Sequence, residues 1–456
     1  MRVPAERAMA SRGHRSTERA ERYRSVYERA RKSRHDEPSW LTRLRDEAME
    51  RFAEIGFPLP KDEEWRFTPI GPIAETDFSL PASGKPAVEA NPAPWLDGVS
   101  DNRITLVNGQ ALPDHAALDA LPVGVVVCSL REALDREGDH VEALLGRLAK
   151  DGTSISSLNT AFMEDVLYIL VPAGLDVSMP VVLEHVADGS GEEPTMACPR
   201  VLVDLGARAS LTLVEAYTGS AGMWRMMGVT EIAVGPSASL EHYRLQAEPL
   251  SAYHTGRTAV RVATDGRYTS HVVHTGGSIA RHDLGVTLAE EGGACSLSGL
   301  YICHGRQLVD NHTVIDHAAP RCESRELYKG VLDGQSHAVY SGKVYVRPGA
   351  QQTDSKQTNK TLLLSDGAHV DTKPQLEIFA DDVRCTHGAT VGQLDAESLF
   401  YLRSRGLSMS DARSILIHAF ASEVVDRMSL PSVRSHIAGV LLERLPQPSL
   451  QAEGEA

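Results

Sequence analysis

The stretch Pro374–Met428 reads PQLEIFADDVRCTHGATVGQLDAESLFYLRSRGLSMSDARSILIHAFASEVVDRM. In its first third apolar and polar residues alternate. Because successive strand side chains point to opposite faces, Cys385 and His387 are predicted to share one face of a strand. Further on, Asp395 and Ser408 stand before residues with helical spacing and are predicted helix N-caps. The stretch therefore predicts a strand layer that is followed directly by helices.

The Cys385–His387 pair offers a thiolate and an imidazole on one side of a strand. These donors suit a soft or borderline metal such as iron or zinc. Two donors are too few for a closed site, so further ligands would have to come from elsewhere in the chain or from a partner chain. The pattern is equally typical of a buried cysteine beside a surface histidine, and the residues alone leave both interpretations open.

Upstream, short β-rich runs follow one another from Val166 onward with no helical pattern. A loose repeat accompanies them, in which a glycine and four further residues precede the next strand. Its glycines lie 29, 31, 26, 42 and 33 residues apart, at Gly206, Gly235, Gly266, Gly292, Gly334 and Gly367. A repeated turn and strand is what a β-solenoid requires. A β-sandwich gives similar short strands, and the pattern alone does not separate the two folds.

Changes in composition and in the spacing of apolar residues along the chain predict four regions. Residues 1–160 are predicted to form an N-terminal helical and mixed domain, of which 1–37 is a frayed charged helix or a disordered arm. Residues 161–394 are predicted to form the β core. Residues 395–446 are predicted to form a C-terminal helical domain, and 447–456 a disordered tail.

Composition excludes several classes of function. The net charge of -15 argues against nucleic acid as a partner, which needs a basic surface. No apolar run reaches the roughly 18 residues that span a bilayer, and neither a secretory signal nor an acid-poor presequence is evident, so we expect a cytoplasmic protein. Its six cysteines contain no Cys-x-x-Cys pair and predict neither a disulfide framework nor a zinc ribbon.

Catalytic motifs are missing as well. Gly342–Lys343 lacks the remainder of a P-loop, and no G-x-S-x-G elbow occurs, so we expect a protein that is not an enzyme. Eleven of the eighteen histidines lie within residues 242–387, and we interpret most of them as outward-facing strand residues without a metal. Cys303 and His304 are adjacent, so they should face opposite ways. The alternative hypothesis is a β-helical enzyme acting on a polysaccharide.

Four motifs resemble the SufB/SufD family of scaffold subunits in the SufBCD iron–sulfur cluster assembly complex. They are Lys61–Thr68 (KDEEWRFT), Leu158–Phe162 (LNTAF), Cys385–Thr390 (CTHGAT) and Leu399–Gly406 (LFYLRSRG). The chain is more similar to the SufD branch than to the SufB branch. Ile378 stands where SufB-type chains carry a cysteine, and the CTHG segment stands where they tend to have Glu-His-Glu.

The resemblance implies a right-handed parallel β-helix that pairs through its ends with a SufB-like subunit, or with itself as a homodimer when isolated. It implies that Cys385 and His387 bind iron or a nascent iron–sulfur cluster transiently at that interface. A SufC-like ABC ATPase would dock on the C-terminal helices, where Tyr401, Arg403 and Arg405 are expected to be exposed. A reduced flavin is implied for the complex, although no flavin fingerprint occurs here.

Overall fold

The computed structural model describes residues 20–32, 34, 37–81, 93–96, 98–111, 118, 120–150, 152–189, 191 and 193–444. Within these ranges the helices are α1 (residues 20–31), α2 (Ser39–Ile55), α3 (Gly71–Glu75), α4 (Leu130–Leu144), α5 (Ser154–Phe162), α6 (Ala396–Ser404), α7 (Met409–Val425) and α8 (Pro431–Arg444). Short 3-10 turns lie at Glu63–Trp65 and Pro94–Leu96. None of the described helices is both long and apolar enough to cross a bilayer.

Strands occupy most of the middle of the chain. The first ten are β1 (Arg103–Val107), β2 (Gln110–Ala111), β3 (Val126–Cys128), β4 (Leu167–Val171), β5 (Asp176–Ala187), β6 (Thr195–Ala197), β7 (Arg200–Leu205), β8 (Ser210–Gly219), β9 (Trp224–Val234) and β10 (Ser239–Gln246). The others are β11 (Tyr253–Val262), β12 (Arg267–His274), β13 (Ile279–Leu288), β14 (Ala294–Cys303), β15 (Leu308–His317), β16 (Glu323–Leu332), β17 (His337–Val346), β18 (Thr353–Leu363), β19 (His369–Ile378) and β20 (Val383–Gly392).

The strands of the described residues form two stacked sheets. Sheet A has the order β19-β17-β15-β13-β11-β9-β7-β4-β3, with β6 beside β9, and sheet B has the order β2-β1-β5-β8-β10-β12-β14-β16-β18-β20. From β7 onward the chain alternates between the sheets, and neighbouring strands are parallel and in register. This topology confirms the parallel β-solenoid, because the sheets of a β-sandwich are antiparallel.

The repeated glycines mark corners where the chain passes between the sheets. Gly206, Gly235, Gly266 and Gly292 precede strands of sheet B, whereas Gly334 and Gly367 precede strands of sheet A, so the 42-residue interval is a change of corner. From β8 to β20 the strands of sheet B begin 27 to 30 residues apart. At Gly235 a Cβ would lie 2.4 Å from the carbonyl oxygen of Leu205, because consecutive coils stack closely there.

Several histidines face the interior, so the expectation that they would face outward was wrong for these. His242 is buried two residues from the core residue Leu240, and its Nε2 lies 2.9 Å from a carboxylate oxygen of Glu215. His254 is buried in the same way, with Nδ1 2.8 Å from Glu248. A polar side chain is tolerated in a core when a partner satisfies it, and these carboxylates supply that partner.

The N-terminal helices cover the outer face of sheet A. Tyr23 and Tyr27 of α1 are buried against Phe52 and Phe162, so residues 20–31 form a docked helix, where the sequence predicted a frayed charged helix or a disordered arm. Residues 1–19 of the predicted arm and the predicted tail 447–456 lie outside the described residues. Helix α2 ends at Ile55, and Gly56 follows it with a φ of 64°, a conformation that favours glycine.

The LNTAF motif attaches α5 to the solenoid through a buried polar network. Asn159 donates from Nδ2 to the carbonyl oxygens of Pro199 (2.9 Å) and Met227 (2.6 Å). Arg200 donates to the Asn159 side-chain oxygen (2.9 Å) and to Glu231 (2.6 Å), and neither of these two charged side chains is exposed. The motif therefore connects the N-terminal helices to the first complete coils.

The KDEEW motif packs on sheet A through Trp65, which is buried. The Arg281 guanidinium lies 3.9 Å from the centre of the Trp65 ring and 2.7 Å from Asp310. His312 lies 3.0 Å from Asp310 and 3.2 Å from Glu64. Despite its burial, His312 has a pKa raised to about 9, because the Asp310 carboxylate stabilises the imidazolium, and the pKa of Asp310 falls to about 2.

This charged group makes the attachment of the KDEEW motif sensitive to high pH. Because the pKa of folded His312 lies above the unfolded value near 6.5, its contribution is complete below that value and is lost as the pH rises through about 9. We expect His312→Gln to cost about 2 kcal/mol of unfolding free energy at pH 7 and much less at pH 10. Urea unfolding of both proteins at the two pH values measures this. An equal difference at both values would contradict it.

Helices α7 and α8 pack on the outer face of sheet B. Ile417, Val424, Ile437 and Leu441 form one buried cluster with strand residues such as Leu300. Lys329 of β16 donates to the carbonyl oxygen of Phe420 (2.7 Å) and pairs with Glu423 (2.5 Å). Truncating the chain after Leu394 would therefore expose the apolar outer face of sheet B.

The predicted N-caps of α6 and α7 are confirmed. The Asp395 carboxylate accepts from the backbone N–H of Ser398 (2.8 Å), and Ser408 Oγ accepts from that of Asp411 (3.1 Å).

Candidate functional site

The last coil of the solenoid, formed by β19 and β20, is open within the described residues. Strand β19 pairs with β17 and β20 pairs with β18, and neither has a strand on its other side. Most side chains of β20 are exposed, and those of β19 are partly buried, whereas the preceding coil is largely buried. The end thus presents two free backbone edges and an uncovered interior. Free edges of this kind are templates for pairing with another chain.

Cys385 and His387 lie on the inner side of this open coil. Cys385 is in register with Ser355, and His387 with Gln357. Ser355 and Gln357 are both buried in the interior, and in-register parallel strands point their side chains the same way, so Cys385 and His387 continue inward-facing columns. Cys385 is partly buried and His387 is exposed, because no further coil covers them. The predicted sharing of one strand face is confirmed.

The environment of Cys385 favours its protonated thiol. Its side chain packs with Leu376 and Val383 against the buried Val344 and Val346. Burial raises the pKa of the Cys385 thiol, and a hydrogen bond at Ser355 only partly offsets this. A thiolate would therefore form here when a metal ion or a cationic partner stabilises it, since metal binding displaces the thiol proton.

A buried polar pair, Gln357 and Glu326, lies in register with His387 on the two preceding strands of sheet B. Gln357 donates from Nε2 to Glu326 Oε2 (2.9 Å), and both side chains are buried in the solenoid interior. Burial raises the pKa of the Glu326 carboxyl. His387 is therefore the exposed end of a polar column that continues into the interior.

Among the described residues, no group of three close His, Cys, Asp or Glu side chains includes Cys385 or His387. The metal-binding role of Cys385 and His387 stays a prediction. The expectation that further ligands come from elsewhere in the chain or from a partner chain also stays a prediction.

Tyr401 and Arg403 lie on α6, which has no buried residue, and Arg405 directly follows the helix as its C-cap. The guanidinium of Arg405 lies 5.2 Å from the centre of the Tyr401 ring, and Tyr401 is 56% exposed. Sequence reasoning missed Phe400, which is 76% exposed beside them. The signal was that Leu399 and Leu402 are three residues apart and can face the same side of the helix, whereas Phe400 is adjacent to Leu399 and points elsewhere. Partner binding by this surface stays a prediction.

The cavity between α2, α4 and the loop before β4 does not suit the flavin that the resemblance implies for the complex. It measures about 930 Å³ and includes Glu37, Asp135, Glu164 and Asp165 but no aromatic residue in its lining. The lining also contains Arg34 and Arg131, but the four carboxylates outnumber them and oppose a flavin phosphate, and no ring is present to stack on an isoalloxazine. We assign no flavin to this cavity.

Comparison with known proteins matches nearly the whole chain. Residues 185–420 match a family model described as the SufBD core domain of SUF system FeS cluster assembly, and residues 17–183 match one described as the SufBD protein N-terminal region. An iron–sulfur cluster assembly SufBD family protein of Synechocystis is 33% identical over 88% of this chain and 90% of its own. The iron–sulfur cluster assembly protein SufD of Escherichia coli is 31% identical over 87% and 92%. The Bacillus subtilis protein of that name is 25% identical over 90% and 94%.

Proposed function

The chain belongs to the SufBD family of iron–sulfur cluster assembly proteins, and from this premise we propose that it is a non-catalytic scaffold subunit. Its open solenoid end pairs with a SufB-like chain, and its C-terminal helices dock a SufC-like ABC ATPase. In the absence of those partners the same end forms a homodimer. Iron or a nascent cluster is the cargo of this assembly, and Cys385 and His387 supply ligands to it.

The observation that carries the proposal is the uncovered last coil with Cys385 and His387 inside it. Its two free strand edges suit pairing with a second solenoid of the same coil dimensions. Pairing would bury the exposed apolar side chains Ile378, Phe379 and Val391 of this end. It would also enclose Cys385 and His387 in an interface, where a second chain completes the ligand set.

Docking of the ATPase rests on α6. Helices α7 and α8 are held by sheet B, whereas α6 contributes no buried side chain to the fold. Phe400 and Tyr401 form an exposed aromatic pair next to Arg403 and Arg405, and aromatic and arginine side chains are enriched at the centres of interfaces. ATP hydrolysis is then the work of the partner, and closure of the ATPases would transmit force through α6 and α7 to the solenoid.

The two surfaces can be tested separately by introducing a negative charge into each of them. Phe400→Glu is expected to abolish co-elution with the ATPase subunit while leaving pairing with the SufB-like chain intact. Val391→Glu is expected to do the opposite. Burying a glutamate in an apolar contact costs several kcal/mol, enough to lower affinity by about a hundredfold or more. Size-exclusion chromatography of the mixed subunits measures both interactions.

The control for both variants is Val123→Glu, because Val123 is 98% exposed and lies in the N-terminal region. It should retain both partners. If Phe400→Glu keeps the ATPase and Val391→Glu keeps the second scaffold chain, the assignment of both surfaces is wrong. Homodimers of the isolated chain that disappear in Val391→Glu would support the role of the open end in self-pairing.

The alternative, a β-helical enzyme acting on a polysaccharide, has no observation in its favour among the described residues. The family comparisons match the β core and the N-terminal region together, which favours the scaffold.

A further inference from the structure

A second group of metal-ligating side chains lies on the outer face of sheet A, at the same end of the solenoid. His337 begins β17, and His369 and Asp371 lie at the start of β19. His337 is in register with His369, and Asp371 is two residues further along, so all three point to the same face. Their ligand atoms lie within 4.8 Å of one another. The coil length brings together residues that are far apart in sequence.

We propose that His337, His369 and Asp371 form a binding site for a divalent first-row transition-metal ion, separate from Cys385 and His387. Two imidazoles and one carboxylate are donors that Fe²⁺ and Zn²⁺ accept, with the remaining positions left to water or a ligand. The site lies outside the coil, whereas Cys385 lies inside it.

The three side chains are near enough to share one ion, and the stacked His369 ring must turn before its in-plane nitrogen points at that ion. His337 Nε2 lies 2.9 Å from Asp371 Oδ2, and the rings of His337 and His369 stack with centroids 3.9 Å apart. Ligands of a tetrahedral ion with bonds near 2.1 Å are roughly 3.4 Å apart. His369 is exposed and can rotate to close the remaining distance. The metal ion would replace the proton shared by His337 and Asp371.

The surrounding charges leave these ligands available. Lys373, two residues beyond Asp371 on the same face, is paired with Glu63 of the KDEEW motif. Its ammonium group therefore has the Glu63 carboxylate as its counter-charge.

Cobalt(II) is the probe that tests this site, since its ligand-field absorbance reports protein ligands directly. Each full-length chain is expected to bind one Co²⁺ at this site and to unfold at a higher temperature when Co²⁺ is added. His369→Ala and Asp371→Asn should each weaken binding by about tenfold or more. Zn²⁺ should displace the Co²⁺ from the wild-type chain, whereas Fe²⁺, which binds the same donors more weakly than Co²⁺, should do so only in large excess and without oxygen.

Two control variants distinguish Co²⁺ binding at this site from binding by other side chains. His418→Ala removes an exposed histidine of α7 and should leave Co²⁺ affinity unchanged. The double variant Cys385→Ser, His387→Ala should also keep the site, so failure here is distinguishable from failure of the proposed function. Wild-type affinity in both His369→Ala and Asp371→Asn would overturn the proposal. So would a wild-type chain that binds no Co²⁺, or a Co²⁺ site that depends on Cys385 and His387.

Discussion

The variants Cys385→Ser and His387→Ala are each expected to lower cluster assembly in the complete complex by about tenfold or more, with the fold intact. The reason is that both side chains lie inside the uncovered last coil, where a partner chain would complete their ligand set. Loss of a metal ligand costs at least as much affinity as loss of its supporting hydrogen bonds, which is about 10- to 100-fold. Absorbance of the cluster formed by the mixed subunits measures the effect.

The matched control is Thr386→Ala, because Thr386 lies between the two residues on the opposite, outward side of β20. It changes the same strand without removing a donor and should retain full assembly. Thermal unfolding should be similar for all three variants, since His387 is exposed and Cys385 only partly buried. Full assembly by both Cys385→Ser and His387→Ala would remove these residues from the cargo site.

The variant Arg200→Met is expected to cost about 3–5 kcal/mol of unfolding free energy, the cost of removing one partner of a buried ion pair. Arg200 and Glu231 are completely buried, with 2.6 Å between their charged groups. Glu231 also accepts from the backbone N–H groups of Gly146, Leu148 and Ala149. Without Arg200 the Glu231 carboxylate keeps those bonds but loses its counter-charge, and Asn159 loses its donor.

The comparison is with Arg347→Met, which removes an exposed arginine that pairs with Asp316 at 2.6 Å. Because water screens that pair, its loss should cost less than about 1 kcal/mol. Urea unfolding measures both variants, and the double variant Arg200→Met, Glu231→Gln should recover part of the loss. Equal costs for Arg200→Met and Arg347→Met would show that the buried network does not hold α5 to the solenoid.

Local features of the sequence were sufficient for much of the secondary structure. The helix from Ser39 to Gly56, the N-caps Asp395 and Ser408, and the strand alternation around Cys385 all follow from interactions within a few residues. Short-range propensity and capping decide such elements wherever they appear. Local features do not distinguish a solenoid from a sandwich. The resemblance to a known family implies the solenoid, and the strand pairing confirms it.

The glycine repeat does not fix which corner of the coil each glycine occupies. Its spacing suits a solenoid and a sandwich alike, and it does not reveal that the glycines belong to two different corners, as the step from Gly292 to Gly334 shows. The inward direction of His242 and His254 was missed for a related reason. Moving a strand by one residue exchanges its faces, and only the pairing of neighbouring coils fixes which face is inside.

The sequence by itself determined the family, the succession of strands and helices, and the Cys385–His387 pair on one strand face. Tertiary structure alone decided that this pair lies in an uncovered coil, and that α6 contributes nothing to the core. It also placed Glu64 and Trp65 against Arg281, which is 217 residues away from Glu64 in sequence. In the same way it placed His337 next to His369 and Asp371. The physical reason is coil stacking. Each coil places residues about thirty positions apart in contact, so these sites depend on coil length and register, which no short segment encodes.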